Sequence, residues 1–231
     1  MSERFYLPDE LIPGPFSITG AEAHHMANVM RLKAGEAITL FNGNGHEYPA
    51  RIESVHKTQM EVQITGELTT QTERARRVTI ACPLPKGDRA MFLIEKLTEL
   101  GVHTYIPIKT RRSVVHPGEG KMDKLQRYVI EASKQCGRNV LMQIEPLCFW
   151  EELVTIPKPV KWFADASGTD FSASHHASTE ECIIVLGPEG GWSEEEQHEA
   201  RSARWQMVKL GPAILRLETA AIAAATLCFS R

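Results

Sequence analysis

The sequence is short of the features that would place it quickly. Its five cysteines (Cys82, Cys136, Cys148, Cys182, Cys228) are odd in number, widely spaced and include no Cys-x-x-Cys pair. Neither a disulfide framework nor a zinc site fits that pattern, and a reducing cytoplasm is the expected setting. No apolar run approaches the ~18 residues a membrane helix requires. The opening Met1-Ser2-Glu3-Arg4-Phe5-Tyr6 lacks a basic-then-apolar signal peptide and reads as mature sequence. Also missing are a Gly-x-Gly-x-x-Gly after a strand, a Walker loop, a Gly-x-Ser-x-Gly elbow and a His-Glu-x-x-His, so the nucleotide-binding and hydrolase classes they mark have no support. The His24-His25 and His175-His176 pairs have no Cys or carboxylate cluster at metal spacing, and structural or surface roles suit them better. Apolar residues make up 42% and charged residues 24% of 231, which excludes a disordered, collagen-like or coiled-coil chain. That length fits one large domain, or a small one joined to a medium one.

The formal charge of −3 hides an asymmetry. Residues 1–70 carry 5 Lys/Arg against 9 Asp/Glu, residues 71–138 carry 14 against 7, and residues 139–231 carry 7 against 13. A basic middle in an acidic chain points to a local polyanion site, with solvated lysine-rich helix faces as the plainer account.

Residues 1–70 read as a small β-rich unit with one helix. Thr19-Gly-Ala-Glu22 has the pattern of a capping box, followed by Ala23, Met26, Ala27 and Met30 at helical spacing up to about Arg31. A strand at Ala37–Phe41, a hairpin turn at Asn42-Gly43-Asn44-Gly45, and strands around Tyr48–Val55 and Met60–Ile64 suggest a small barrel. Between Glu67 and Arg77 the chain turns polar and aperiodic, as a linker does. From residue 74 onward strands and helices alternate. Strands are expected at Val78–Cys82, Tyr105–Ile108, Val160–Ala164, Cys182–Leu186 and Gln206–Leu210. Helices are expected at Ala90–Leu100, Lys121–Gln135, Ser193–Ala203 (opened by the capping box Ser193-x-x-Glu196) and Leu215–Phe229. Such alternation predicts a mostly parallel sheet covered on both faces.

Two segments carry the chemistry. Ile183–Leu186 followed by Gly187-Pro188-Glu189-Gly190-Gly191-Trp192-Ser193 is a buried strand, a tight loop and a capped helix. Its glycines allow close approach of a ligand to the main chain. Val208-Lys209-Leu210 followed by Gly211-Pro212-Ala213-Ile214-Leu215-Arg216-Leu217-Glu218-Thr219-Ala220 repeats that logic, with Arg216, Glu218 and Thr219 expected in the first helical turn. Either loop alone is readable as a structural turn. Two at successive strand ends fit a ligand site, because open α/β sheets bind ligands there.

At these residues the sequence resembles the RsmE family of ribosomal RNA methyltransferases, in the SPOUT class. The resemblance rests on Leu186–Ser193 and Leu210–Ala220. It extends to Glu95–Val102, Thr110-Arg111-Arg112-Ser113, Glu131–Arg138, Arg4-Phe5-Tyr6 and the Ala23-His24-His25…Val29-Met30-Arg31 stretch, and so spans nearly the whole chain. Leu217 departs from the pattern, where a polar or variable residue is expected in relatives. The resemblance implies an α/β fold: a PUA-like RNA-binding β-barrel over residues 1–70, then a SPOUT methyltransferase domain over 74–231 tied in a deep trefoil knot. Composition could not show the knot, since true knots are essentially absent from proteins. It also implies a homodimer, S-adenosylmethionine as methyl donor, and methylation of N3 of a uridine in the 16S RNA of the small ribosomal subunit. No membrane and no metal take part in that reading.

Uracil N3 is protonated at neutral pH and a poor nucleophile until that proton leaves, while a sulfonium donor is already activated. The protein is left to align two reactants, favour the N3 anion and exclude water. Leu186, Gly187, Pro188, Glu189, Gly191, Leu210, Gly211, Ile214, Leu215, Leu217 and Thr219 are the expected cofactor contacts. Arg216 is expected to stabilise the imide anion, with an ion pair to Glu218 or a dimer contact as its rival role. Glu189 and Glu218 are the nearby carboxylates, either of which could accept the proton or bind ribose, with solvent as a third candidate base; Glu189 is taken as the catalytic one. Arg4, Arg31, Arg111, Arg112 and Arg138 are the expected RNA contacts. Two other readings remain open: a methyltransferase of this class with a different target base, and a non-catalytic RNA-binding assembly factor.

Overall fold

A computed structural model describes residues 3–69, 73, 75–113, 121–171 and 181–229. The chain divides into two compact units, one formed by Met1–Glu73 with Ser133–Leu141 and the other by Arg74–Ala132 with Met142–Arg231.

In the first unit the strands are β1 (Glu3–Tyr6), β2 (Gly14–Thr19), β3 (Ala37–Phe41), β4 (His46–Val55), β5 (Gln59–Ile64) and the short β6 (Leu68–Thr69). Helix α1 (Gly20–His24) runs on as a π-helical turn over His25–Val29. The sheet order is β1-β3-β4-β5-β2, with β6 on β4; β1 pairs parallel to β3 and the other neighbours are antiparallel. Alternation puts Tyr48, Ala50 and Ile52 of β4, and Met60, Val62 and Ile64 of β5, into a core with Phe5, Ile18, Met26 and Leu40. The hairpin forms at Asn42–Gly45, where Gly43 and Gly45 take φ of 89° and 96° and Leu40 pairs with Tyr48. β2 escapes the strand pattern because it contains Pro15, which an edge strand such as this one tolerates. The capping box at Thr19 does not form. Thr19 makes no side-chain cap bond, and the Glu22 carboxylate instead accepts from Lys134 Nζ at 3.0 Å.

The second unit holds β7 (Arg77–Cys82), α2 (Asp88–Leu100), β8 (Thr104–Lys109), α3 (Lys121–Cys136, whose last turn belongs to the first unit), β9 (Gln143–Ile144), β10 (Cys148–Phe149) and α4 (Trp150–Leu153). It continues with β11 (Lys161–Asp170), β12 (Glu181–Leu186), α5 (Glu194–Ser202), β13 (Gln206–Lys209) and α6 (Leu217–Phe229). The order is β10-β8-β7-β12-β11-β13 with β9 on β8, and every pairing is parallel. On one face Ala81, Ile106, Phe163, Ile183 and Val185 meet Trp150, Trp192, Ala200 and Trp205. On the other, α6 packs on α2, β7 and β12 through Ala221, Ala224, Ala225 and Cys228. Covered on both sides, β12 buries all of Cys182–Leu186, which is why it reads as an unbroken apolar run.

The Ser193 capping box forms as expected: Ser193 Oγ accepts from the Glu196 amide at 3.2 Å, and Glu196 Oε2 accepts from the Ser193 amide at 2.8 Å. Helix α6 starts two residues later than the periodicity predicts. Leu215 and Arg216 belong to the preceding loop, and the Arg216 carbonyl accepts the first bond, from the Ala220 amide at 2.8 Å. No helix among the described residues is long and apolar enough to cross a membrane.

Candidate active site

Among the described residues, the carboxyl ends of β7, β8, β12 and β13 lead into the segments 83–87, 110–113, 187–192 and 210–216. The loop after β12 is wound around Trp192. A β-carbon on Gly187 would lie 2.9 Å from Cε2 and Nε1 of the indole. The ring itself is fixed, stacking on Phe163 at 4.3 Å between centroids and donating through Nε1 to the Ala164 carbonyl at 3.0 Å. Gly191 closes a turn, its amide donating to the Pro188 carbonyl at 2.8 Å with φ at 69°, a conformation that favours glycine. From the loop after β8, Arg112 Nη1 donates to the Gly190 carbonyl at 2.9 Å and ties the two loops together.

In the loop after β13, Leu210 and Leu215 are half-buried, while Ile214 is 100% exposed. Arg216 and Thr219 are exposed, and Leu217 and Glu218 are buried. Arg89, from the first turn of α2, spans the two main loops: its Nη1 lies 3.4 Å from Glu189 Oε1 and 3.8 Å from Glu218 Oε2. That Glu218 oxygen is inaccessible and lacks a hydrogen-bond partner, although a buried carboxylate oxygen is costly to leave unmatched. Beside it Pro83, Leu84, Lys86, Arg89, Pro188 and Glu189 line a cavity of about 220 Å³. The sequence reading missed the contribution of residues 83–89. Its signal was present, because Pro83-Leu84-Pro85-Lys86-Gly87 is a third Pro/Gly loop at a strand end, on the strand next to β12.

The five arginines proposed for RNA fall into two groups. Arg111 and Arg112 are exposed and held near the loops: the Arg111 amide donates to Glu196 Oε1 at 2.9 Å, and its Nη1 pairs with Glu195 Oε2 at 3.1 Å. Arg31, in the first unit, is exposed. Arg138 is not placed to meet a phosphate. It is buried and makes a bidentate pair with Glu73, Nε to Oε1 at 3.0 Å and Nη2 to Oε2 at 2.8 Å. Arg4 is similarly committed, pairing with Glu47 at 2.9 Å, donating to Asn139 and lying over the Phe41 ring. Both tie the first unit together by ion pairs; Arg138 is buried, whereas Arg4 is part-buried and its Nε lacks a hydrogen-bond partner.

An all-parallel sheet with ligand-type loops at its strand ends defines an α/β domain of the class that binds ligands there. Family models described as an RNA methyltransferase domain and an RNA methyltransferase PUA domain match residues 72–228 and 18–65. The chain belongs to the ribosomal RNA small subunit methyltransferase E family. The Bacillus subtilis ribosomal RNA small subunit methyltransferase E is 34% identical over 219 residues, covering 89% of this chain and 86% of its own. The Neisseria gonorrhoeae ribosomal RNA small subunit methyltransferase E, solved bound to S-adenosyl methionine, is 31% identical with a TM-score of 0.91 over 98% of this chain and 96% of its own. A Legionella pneumophila methyltransferase solved with SAM bound is 31% identical with a TM-score of 0.90 over 99% and 97%.

Proposed function

We propose that this protein transfers a methyl group from S-adenosylmethionine to N3 of a uridine in the RNA of the small ribosomal subunit. The supporting observation is the combination, at the carboxyl end of the sheet, of a glycine loop fixed around Trp192, a wholly exposed Ile214 and a buried Glu218 oxygen that has the Arg89 guanidinium at 3.8 Å but no hydrogen-bond partner. An apolar wall plus an unmatched acceptor fits a nucleoside that carries apolar, hydroxyl and cationic parts.

The donor supplies an activated methyl group on a positively charged sulfur. The main chain of 187–191 and 210–217 would hold its adenine and ribose, with Leu186, Leu210, Ile214, Leu215 and Leu217 as apolar contacts and Pro188, Gly211 and Thr219 at the rim. Glu189 and Glu218 face the guanidinium of Arg89, and the exposed Glu189 would take up the uracil proton. Arg216, exposed ahead of α6, would stabilise the N3 anion as it forms. Arg111 and Arg112 would meet RNA phosphates beside the same loops.

The same reading takes residues 1–70 as the RNA-binding barrel and 74–231 as the methyltransferase domain, working in the cytoplasm. It includes the trefoil knot, which agrees with α6 leaving the edge strand β13 and returning across the sheet to β7 and β12. It also includes a homodimer, for which the bare Ile214 offers contact area. Helix α6 would contribute to that interface through the face that Ala221, Ala224, Ala225 and Cys228, buried within the protomer, leave free. Nucleoside mass spectrometry of small-subunit RNA, treated with the purified protein and donor, tests the reaction. 3-Methyluridine is the expected product; a different methylated nucleoside, or none, overturns the proposal.

A further inference from the structure

Residues 25–31 of the first unit combine three features that packing does not explain. The helix widens to a π-turn over His25–Val29, with the Met30 amide donating to the His25 carbonyl at 3.0 Å. Single π-turns inside helices recur at functional sites. The turn ends on Arg31 in the left-handed region at φ 57°, and the Leu32 amide closes back onto the Met26 carbonyl at 3.1 Å. That is a helix C-terminal position where glycine is the usual residue, and only two non-glycine residues among those described have positive φ. Finally, Val29 and Met30 are 62% and 38% exposed, two adjacent apolar side chains turned to solvent.

The surroundings select an anionic partner. No acidic residue occurs between Glu22 and Glu36, while Arg31 and Lys33 both lie in that interval. Glu22 is engaged by Lys134, and Glu36 accepts from the Lys33 amide at 3.1 Å. Neither Arg31 nor Lys33 has an ion-pair partner among the described residues, in contrast to Arg4 and Arg138. Two exposed apolar side chains next in sequence to a guanidinium with no ion pair among the described residues match an unstacked base and its phosphate, whereas a regular duplex offers only phosphates and groove edges.

We infer that Val29, Met30 and Arg31 form a contact for single-stranded RNA, with a splayed base on Val29 and Met30 and its phosphate on Arg31. This inference rests on the RNA-methyltransferase reading and adds a residue-level site to it. It makes the strained arginine a functional residue retained where glycine would serve the fold better.

Full-length protein is titrated into a fluorescent ten-nucleotide oligouridylate over a range of salt, with thermal melts of each variant. Arg31→Gly should weaken binding roughly five- to tenfold and reduce the salt slope by about 0.7, one phosphate contact on a single strand. Its melting temperature should equal or exceed that of wild type, because glycine relieves the left-handed backbone. Val29→Ser with Met30→Ser should weaken binding several-fold with the salt slope unchanged. Undiminished binding by Arg31→Gly, a lowered melting temperature in that variant, or equal losses on a sixteen-base-pair RNA duplex would each overturn the inference, as would a wild type that ignores the oligonucleotide. Methyl transfer to small subunits by wild type, run in parallel, reports separately on the enzymatic reading.

Discussion

Gly187 lies flat against the indole of Trp192, so close that a β-carbon there would come within 2.9 Å of the ring. The indole cannot retreat, because Phe163, Trp150 and the Ala164 carbonyl hold it. The first residue of the loop is thus set by the aromatic core beneath the sheet, and the loop's position is inherited from that packing.

Gly187→Ala should therefore act through Trp192. Overpacking of this kind costs ~1–3 kcal/mol. For a chain of this size that lowers the melting temperature by roughly 2–4 °C per kcal/mol, and donor affinity should fall with it as the loop shifts. Gly191→Ala meets open space and carries only the strain of φ 69°, so its effect on melting should be smaller. Calorimetry with S-adenosylmethionine beside thermal melts separates the two; equal melting losses would contradict the packing account.

Arg138→Gln should destabilise without touching RNA binding. It leaves the Glu73 carboxylate without its bidentate partner, and breaking a largely buried pair of this kind costs roughly 2–4 kcal/mol. Urea melts should show the loss, while the salt dependence of RNA binding stays at the wild-type slope. A reduced slope would return Arg138 to the phosphate contacts.

These outcomes show which parts of the molecule were legible in its sequence. Strands buried on both faces, such as β12, and helices with clear periodicity, such as α2, were readable because burial alone dictates their pattern. The pairing of Arg138 was not legible because a basic run reports charge and not partner: Glu73 lies 65 positions away in sequence. The Gly-Pro loops were visible as loops, but the bridge from Arg89 to Glu189 and Glu218 was not, because it joins α2 to residues 100 or more positions on. The start of α6 slipped because Leu215 continues the apolar spacing although its backbone is not yet helical.

The cysteines should be sharply unequal toward thiol reagents. Burial pushes the Cys82 thiol up to about 12, and partial burial beside Glu152 pushes Cys148 up to about 11. Cys228 is raised by its hydrogen bond with Cys182 and by burial, and Cys182, although lowered by that bond, is inaccessible. The thiolate is the reactive form, so a raised pKa means less of it at pH 7.5. Half-buried Cys136 should be the one thiol of the folded protein to react promptly with a disulfide reagent, and all five should react in guanidinium. Cys148 should gain about tenfold in rate per pH unit up to pH 9, with no plateau, because its pKa lies above that range. Prompt reaction of several thiols in the native state would contradict this burial pattern.

Arg216 stands exposed in the loop immediately before α6, with its carbonyl used by the helix and its side chain directed to solvent. Its guanidinium has no hydrogen-bond or ion-pair partner among the described residues, so Arg216→Ala should leave the melting temperature within about 1–2 °C of wild type, as surface substitutions usually do. If its charge instead serves the imide anion that forms during transfer, the loss appears only in the chemical step. One charge-stabilising contact in a water-poor site is commonly worth ~3 kcal/mol of barrier, roughly a hundredfold in rate. Arg111→Ala and Arg112→Ala should behave oppositely: RNA affinity falls, its salt slope drops by about one counterion per charge, and the single-turnover rate at saturating RNA recovers. The Arg112 variant should in addition weaken donor binding, since it releases the Gly190 carbonyl from the neighbouring loop. Single-turnover rates at saturating RNA and donor, set beside binding measured across salt, distinguish these roles. If Arg216→Ala transfers methyl at the wild-type rate once both ligands saturate, the residue belongs to binding and another group must stabilise the anion.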